Sequence, residues 1–209
     1  MRLMGLRALH FASMEADPED ETLMLRYCAG DAMAFETLYR RHRGPVYRYL
    51  LRQCGNAGSA DELFQDVWLR VVNARIGYEV KARFTTWLYR IAHNRLMDFF
   101  RSNARARLES YDALADGFPD DEPLGELQVD FDSGAEPVEV TLDRKRAAER
   151  LVAAIDTLPA AQREAFLLRE EGGLSLEEIA AATGVNAETA KSRLRYAVVK
   201  LRSLLKECS

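Results

Sequence analysis

The chain has 209 residues, 48% of them hydrophobic and 30% charged, with a formal net charge of −4. That length suffices for two small domains, each able to bury a core, and with only 12 glycines and 6 prolines the composition favours helices. Cys28, Cys54 and Cys208 stand far apart without a CxxC pair, which supports neither a disulfide framework nor a zinc ribbon and suits a reducing cytoplasm.

Arg2, Arg7 and His10 interrupt the short apolar stretches at the N-terminus, so a signal peptide is not expected, and no run is long enough to cross a bilayer. Residues 1–19 read as an unstructured extension. Met14 is an alternative start, because the periodic pattern begins only after Pro18. Asp20 to Ala29 reads as a first helix ended by Gly30, and Asp31 as the cap of the next, whose inner side carries Phe35, Leu38 and Tyr39. The basic run Arg40, Arg41, His42, Arg43 then reads as a solvated turn or a phosphate site, with Gly44 and Pro45 restarting the chain as a third helix through Val46, Tyr49 and Leu50 to Gly55.

Ser59 with Glu62 reads as a capping box opening the helix ADELFQDVWLRVV. Leu63, Val67 and Val71 share one face, and Phe64, Trp68 and Val72 the adjacent one, a wide apolar arc. Asp61, Glu62, Gln65 and Asp66 are left outside. First-turn acids complement the helix dipole, which accounts for Asp61 and Glu62 but poorly for Asp66, whereas a protein partner accounts for all four. The stretch from Arg83 to Arg107 forms a long helix with Phe84, Leu88, Ile91, Ala92 and Phe99 on one side and Thr86, Arg90, His93, Asn94, Met97 and Arg101 on the other. Its interleaved aromatic rings and arginines suit core packing or the stacking of unpaired bases. Arg95 falls in the apolar arc and needs a carboxylate such as Asp66 or Asp98. His93 reads as exposed and solitary, so no metal is expected.

Leu108 to Val140 contains no Lys, Arg or His and holds eleven acids, Glu109, Asp112, Asp116, Asp120, Asp121, Glu122, Glu126, Asp130, Asp132, Glu136 and Glu139. Without it, 22 acidic residues face 29 basic ones, a net of +7, so two basic bodies flank an acidic connector. Its prolines and glycines break helices, and the segment reads as a flexible tether or as a mimic of nucleic acid.

In the last block, LSLEEIAAATGVNAETAKSRLRYAVVKLRSLLK, Ser175 and Glu178 form a capping box, Leu174 staples onto Ile179, Gly184 ends the helix and Asn186 caps the next. That final helix buries Ala190, Leu194, Ala197, Val198, Leu201 and Leu205, and projects Glu188, Ser192 and Arg195 away from the core, with Lys191 and Arg193 at the flanks. The layout is a helix-turn-helix, whose second helix enters a major groove.

Asp31 with Ala34-Phe35 and Leu38-Tyr39, then ADELFQDVWLRV, FTTWLYRIAHNRLMDFFR, Leu158-Pro159 and LSLEEIAAATGVNAETAKSRLRYA, in this order and spacing, resemble the extracytoplasmic-function (ECF) sigma factors of bacterial RNA polymerase. The resemblance implies an all-α chain with a region 2 helical domain (20–107), a flexible acidic linker (108–140) and a region 4 helix-turn-helix domain (141–209). It implies that Asp61, Glu62, Gln65 and Asp66 contact the β′ clamp helices of core polymerase. It also assigns minus-10 contacts to the 73–81 loop and to Arg83, Thr86, Arg90, Asn94 and Arg101. Minus-35 contacts fall to Glu188, Thr189, Lys191, Ser192, Arg193 and Arg195, with residues 151–171 beneath them helping to engage the β flap. The implied partners are core polymerase, promoter DNA and an anti-sigma factor; no cofactor, metal, catalytic residue or membrane insertion is expected. A stand-alone helix-turn-helix regulator would leave the Arg-rich aromatic helix unexplained, and an enzyme lacks a phosphate loop, a metal cluster or a nucleophile elbow.

Overall fold

The computed structural model describes residues 17–113 and 138–207, with side chains placed for 17–104 and 145–206. All regular elements among the described residues are helical: α1 (Asp20–Cys28), α2 (Ala32–Cys54), α3 (Ala57–Ala74), a 3-10 turn (Arg75–Gly77), α4 (Phe84–Ala113), α5 (Val138–Asp156), α6 (Ala160–Glu170), α7 (Leu176–Thr183) and α8 (Ala187–Glu207). The first four helices form the N-terminal body and the last four the C-terminal one. The bulk of the connector, residues 114–137, lies outside the described residues, as do Met14 and Cys208.

Asp31 caps α2 by accepting from the amides of Met33 and Ala34, at 3.0 and 3.2 Å. The helix then runs unbroken to Cys54 with Pro45 inside it, so the expected restart at Gly44-Pro45 does not occur. Proline removes a helical donor and crowds the preceding turn, at a cost of about 3 kcal/mol. The residue before a proline normally leaves the α region because its Cβ clashes with the ring; Gly44 has no Cβ. Leu38 on one side of Pro45, and Val46, Tyr49 and Leu50 on the other, are all fully buried in a single core. Fully burying each such side chain contributes about 1.5–3 kcal/mol, enough together to carry the helix through. The basic run is accordingly not a free turn. Arg41 donates to Pro18 O (2.8 Å) and Asp20 (2.6 Å), and His42 Nε2 lies 2.6 Å from the other Asp20 oxygen.

The start of α3 also moves. Asn56, not Ser59, is the cap, and its side chain accepts from the Ser59 amide at 2.9 Å. Leu63, Val67, Trp68 and Val71 are buried as expected. α4 starts under a long-range cap, the Glu21 carboxylate accepting from the Phe84 amide at 2.5 Å, which places a negative charge at a helix N-terminus. The same helix extends to Ala113, six residues beyond the expected end of the domain and into the acidic segment.

One contiguous cluster of buried apolar residues runs from Leu23 through the N-terminal helices to Leu201. The two bodies therefore do not hold separate cores; α2 packs on α6, and α4 on α7. Gly172, in the turn between α6 and α7, permits this approach. A Cβ there would come within 2.6 Å of Leu174 Cδ1, 2.8 Å of Leu168 O and 2.9 Å of Tyr89 Cε2 on α4.

Candidate nucleic-acid interface

In the helix-turn-helix, Ser175 accepts from the Glu178 amide (3.2 Å) while Glu178 accepts from the Ser175 amide (2.8 Å), the reciprocal capping box expected from the sequence. Gly184 closes α7 with φ +69°, and Asn186 accepts from the Thr189 amide at 2.7 Å to open α8. Ala190, Ala197 and Leu201 are buried beneath α8, with Leu194 and Leu205 partly so. The opposite side presents Glu188, Lys191 and Arg195 to solvent; Ser192 and Arg193 are half-buried, as is Thr189. Lys191 sits 3.7 Å from Glu188. Arg195 lies over the ring of Tyr196, 5.0 Å from its centroid, a cation–π contact.

In the N-terminal body, Asp61, Glu62 and Gln65 stand exposed on one side of α3. Asp66 is different: it holds Arg95 Nε at 2.7 Å, the carboxylate pairing that the position of Arg95 demanded. The loop between α3 and α4 projects Ile76 into solvent with 91% of its surface exposed. Cys28 Sγ donates to Arg75 O at 3.0 Å, and the Arg75 guanidinium lies 5.3 Å from the Tyr27 ring, so the loop is anchored on α1. Tyr78 packs edge-on against Trp87, centroids 5.0 Å apart, and burial pushes its hydroxyl pKa up to about 12. Phe84 is wholly buried, so it belongs to the core and not to a base-stacking surface.

Loop and helix together enclose a groove of about 510 Å³, lined by Tyr78, Lys81, Thr86, Trp87 and Arg90, with Ala181 of α7 as the wall from the other body. Arg90, Asn94 and Arg101 are exposed along α4, Arg101 paired to Asp98 at 2.7 Å. Thr86, expected on the open face, is only 5% exposed, and its hydroxyl donates to Glu178 Oε1 at 2.9 Å. Arg83 lies 3.6 Å from the other Glu178 oxygen. Burial raises the Glu178 pKa, but hydrogen bonds from Ser175 and Thr86 and the Arg83 charge outweigh it and leave it below the ordinary value.

His93 is likewise not solitary. Its side chain is 13% exposed, and Nδ1 sits 2.6 Å from Glu164 Oε1, the oxygen that also accepts from the Tyr49 hydroxyl at 2.8 Å. Arg48 donates three times to Glu171, at 2.7 to 3.0 Å, and Arg52 reaches Asp156 at 3.4 Å. Burial raises the Asp156 pKa against the pull of Arg52 and Arg163. Arg163 also donates to the Arg52 carbonyl at 3.2 Å. None of these pairings has a local signal, since the partners stand 71 to 123 positions apart. Among the described residues no group of three or more His, Cys, Asp or Glu could hold a metal ion, and no helix is long and apolar enough to cross a membrane.

A loop-and-helix groove lined by arginine and aromatic side chains, followed by a helix-turn-helix with an exposed basic helix, is the layout of a DNA-binding protein. The Sigma-70 region 2 family matches residues 38–106 and the Sigma-70 region 4 family residues 148–201. Among curated relatives, the ECF RNA polymerase sigma factor SigE of Mycolicibacterium smegmatis is 34% identical over 82% of this chain, which spans 62% of that relative's length. SigK of Mycolicibacterium vanbaalenii is 30% identical over 90% of this chain and 89% of its own length, and the RNA polymerase sigma factor CarQ of Myxococcus xanthus is 33% identical over 88% and 96%. The chain belongs to the ECF sigma factors of RNA polymerase. Its fold is also that of the sigma factor RpoE in the co-crystal structure with the anti-sigma factor NepR from Bartonella quintana, with a TM-score of 0.62 at 23% identity over 82% of this chain and 96% of that one. A second structure, CnrH in complex with the cytosolic domain of CnrY, is similar at a TM-score of 0.59 and 21% identity over 91% and 99%.

Proposed function

We propose that this sigma factor binds core polymerase in the cytoplasm through the exposed acidic side of α3, directs it to a specific set of promoters and assists their opening, with the polymerase supplying all catalysis. The observation that carries the reading is the order of region 2 and region 4 over residues 38–106 and 148–201, shared with relatives that this chain spans for 89% and 96% of their length. Asp61, Glu62 and Gln65 then serve the β′ clamp helices; Asp66 stands beside them while orienting Arg95. The groove and Arg83, Thr86, Arg90, Asn94 and Arg101 receive the minus-10 strand, where rings can stack on bases and guanidinium groups hold phosphates. Glu188, Thr189, Lys191, Ser192, Arg193 and Arg195 serve the minus-35 element, and residues 151–171 support the β flap contact. The domains run over 20–107 and 141–209, joined by 108–140. An anti-sigma factor is a fitting regulator, since the RpoE of similar fold was solved with one. Transcription in vitro with core polymerase on a genomic library tests the reading. Transcripts that start at a common promoter pattern only when the chain is added support it, and the absence of any chain-dependent start refutes it.

A further inference from the structure

Ile76 is the most exposed large hydrophobic side chain among the described residues, with 91% of its surface in water against 66% for Met33 and 58% for Leu69 and Val199. A single apolar side chain on a surface needs no explanation by itself. What sets this one apart is how firmly the backbone on either side of it is held.

Ile76 occupies the middle of the 3-10 turn Arg75–Gly77. At the start of the turn the Arg75 carbonyl accepts from Cys28 Sγ at 3.0 Å, while the Arg75 guanidinium rests 5.3 Å from the centre of the Tyr27 ring. Just after it, Tyr78 lies edge-on to Trp87 with 5.0 Å between centroids, and its amide donates back to the same Arg75 carbonyl at 3.5 Å. One brace thus runs to α1 and the other to α4, and between them the chain holds an aliphatic side chain out in water. Isoleucine is branched at Cβ and stiff at χ1, so it has little rotamer freedom to lose on insertion into a partner. A turn that served only to connect α3 with α4 would favour a small or polar residue at this point.

The surroundings indicate what the tip can meet. Ala74 and Gly77, on either side of Arg75 and Ile76, line the groove of about 510 Å³ together with Tyr78, Lys81, Trp87 and Arg90, so Ile76 stands at the groove's rim. Lys81 and Arg90 suit phosphates, and the rings suit unpaired bases. An aliphatic tip offers neither charge nor hydrogen bond, and gains nothing from a phosphate or from the polar edge of a base. It gains by leaving water, and the apolar interior that a nucleic acid offers is the space between stacked bases. A base that leaves its stack for the groove vacates such a space.

We propose that Ile76 is the wedge of promoter opening: it enters the stack where paired DNA meets unpaired DNA, fills the place of the base that has left, and hinders the strands from pairing again. The inference rests on the minus-10 assignment above and gives the loop a second task. Side chains of the groove hold the displaced strand, while the braced tip holds the duplex apart. Every base step has an apolar interior, so the wedge acts on opening and not on the choice of sequence.

The test uses holoenzyme assembled from core polymerase and the full-length chain, on a promoter recovered in the transcription screen. That promoter is supplied fully duplex, and again with mismatched strands across the minus-10 element so that it is already open. Permanganate reactivity of unpaired thymines reads opening, and run-off transcripts read initiation. Ile76→Ala removes the wedge without touching the core, because the side chain stands in water. It should lower both signals on the duplex about tenfold, the scale of burying one aliphatic side chain, and leave transcription from the open template within about twofold of wild type. Ile76→Leu keeps the aliphatic volume and should restore the duplex signals to within about threefold of wild type. Undiminished opening by Ile76→Ala, an equal loss on both templates, or a leucine variant as poor as the alanine one overturns the wedge alone, since wild type still initiates. A wild-type chain that yields no promoter in the screen refutes the sigma reading, and the wedge with it.

Discussion

Removing a single oxygen, by Tyr49→Phe, tests how firmly the two bodies are joined. Tyr49 is fully buried, and burial together with the neighbouring Glu164 carboxylate drives its hydroxyl pKa well above the ordinary value, so it remains a donor at any working pH. The bond is 2.8 Å long, and its acceptor oxygen keeps one other donor, His93 Nδ1 at 2.6 Å. Phenylalanine fits the same space, so no cavity beyond the lost oxygen enters the account. A hydrogen bond to a charged group contributes about 1.5–3 kcal/mol, and the remaining His93 bond spares Glu164 from full desolvation, which places the expected loss near 2 kcal/mol. Urea unfolding should show a single transition whose midpoint falls at unchanged slope, because the core is continuous through both bodies. Glu164→Gln completes a double-mutant cycle, with an expected coupling of about 1–2 kcal/mol. A loss under about 0.5 kcal/mol, or a coupling near zero, refutes the claim that this contact holds the halves together.

Glu62→Lys should abolish capture by core polymerase with the fold intact, since Glu62 is exposed; Asp66→Lys would also lose capture but would set a cation against Arg95, so unfolding must be measured beside it, and undiminished capture by the Glu62 variant would displace the interface. Arg195→Ala should cost the holoenzyme about 1–3 kcal/mol on its preferred minus-35 sequence and relax selectivity at one or two base pairs, whereas Lys191→Ala should weaken all sequences alike and lower the salt slope by about one phosphate contact; equal weakening of every single-base variant by Arg195→Ala would make it a phosphate clamp. Asp20 tests electrostatics: burial raises its pKa, but His42 and Arg41 outweigh this and hold it below the ordinary 3.8. A depressed folded-state pKa contributes stability that is fully present above the unfolded value and disappears as pH falls through the folded one. Asp20→Asn should therefore flatten the acid limb of the stability–pH curve, and a limb as steep as wild type would contradict the pairing.

What depends on near neighbours is legible in the sequence. Ser175 with Glu178, Gly184 and Asn186 announce the helix-turn-helix because each cap needs only its neighbours within four positions. Arg95 announces its carboxylate because a charge in an apolar arc cannot stay unpaired, and Asp66 answers. Pro45 misleads for a tertiary reason, since the burial of residues on both sides outweighs its local cost. Ser59 misleads because Asn56, three positions earlier, has the same capping chemistry. The acceptors of His93, Thr86 and Tyr49 lie in the other half of the chain, beyond the reach of helical periodicity, which reports on a face without naming what covers it.

The continuous core also has a consequence for concentration. Because both halves belong to one chain, their contact is an intramolecular equilibrium with an effective concentration on the order of millimolar. A contact of only micromolar intrinsic strength would then keep the two bodies associated in roughly 999 chains of 1,000, about 4 kcal/mol in favour of the associated form. If a protease site placed between residues 113 and 138 were cut, the two pieces would still associate at high concentration, but dilution would separate them where the intact chain stays shut.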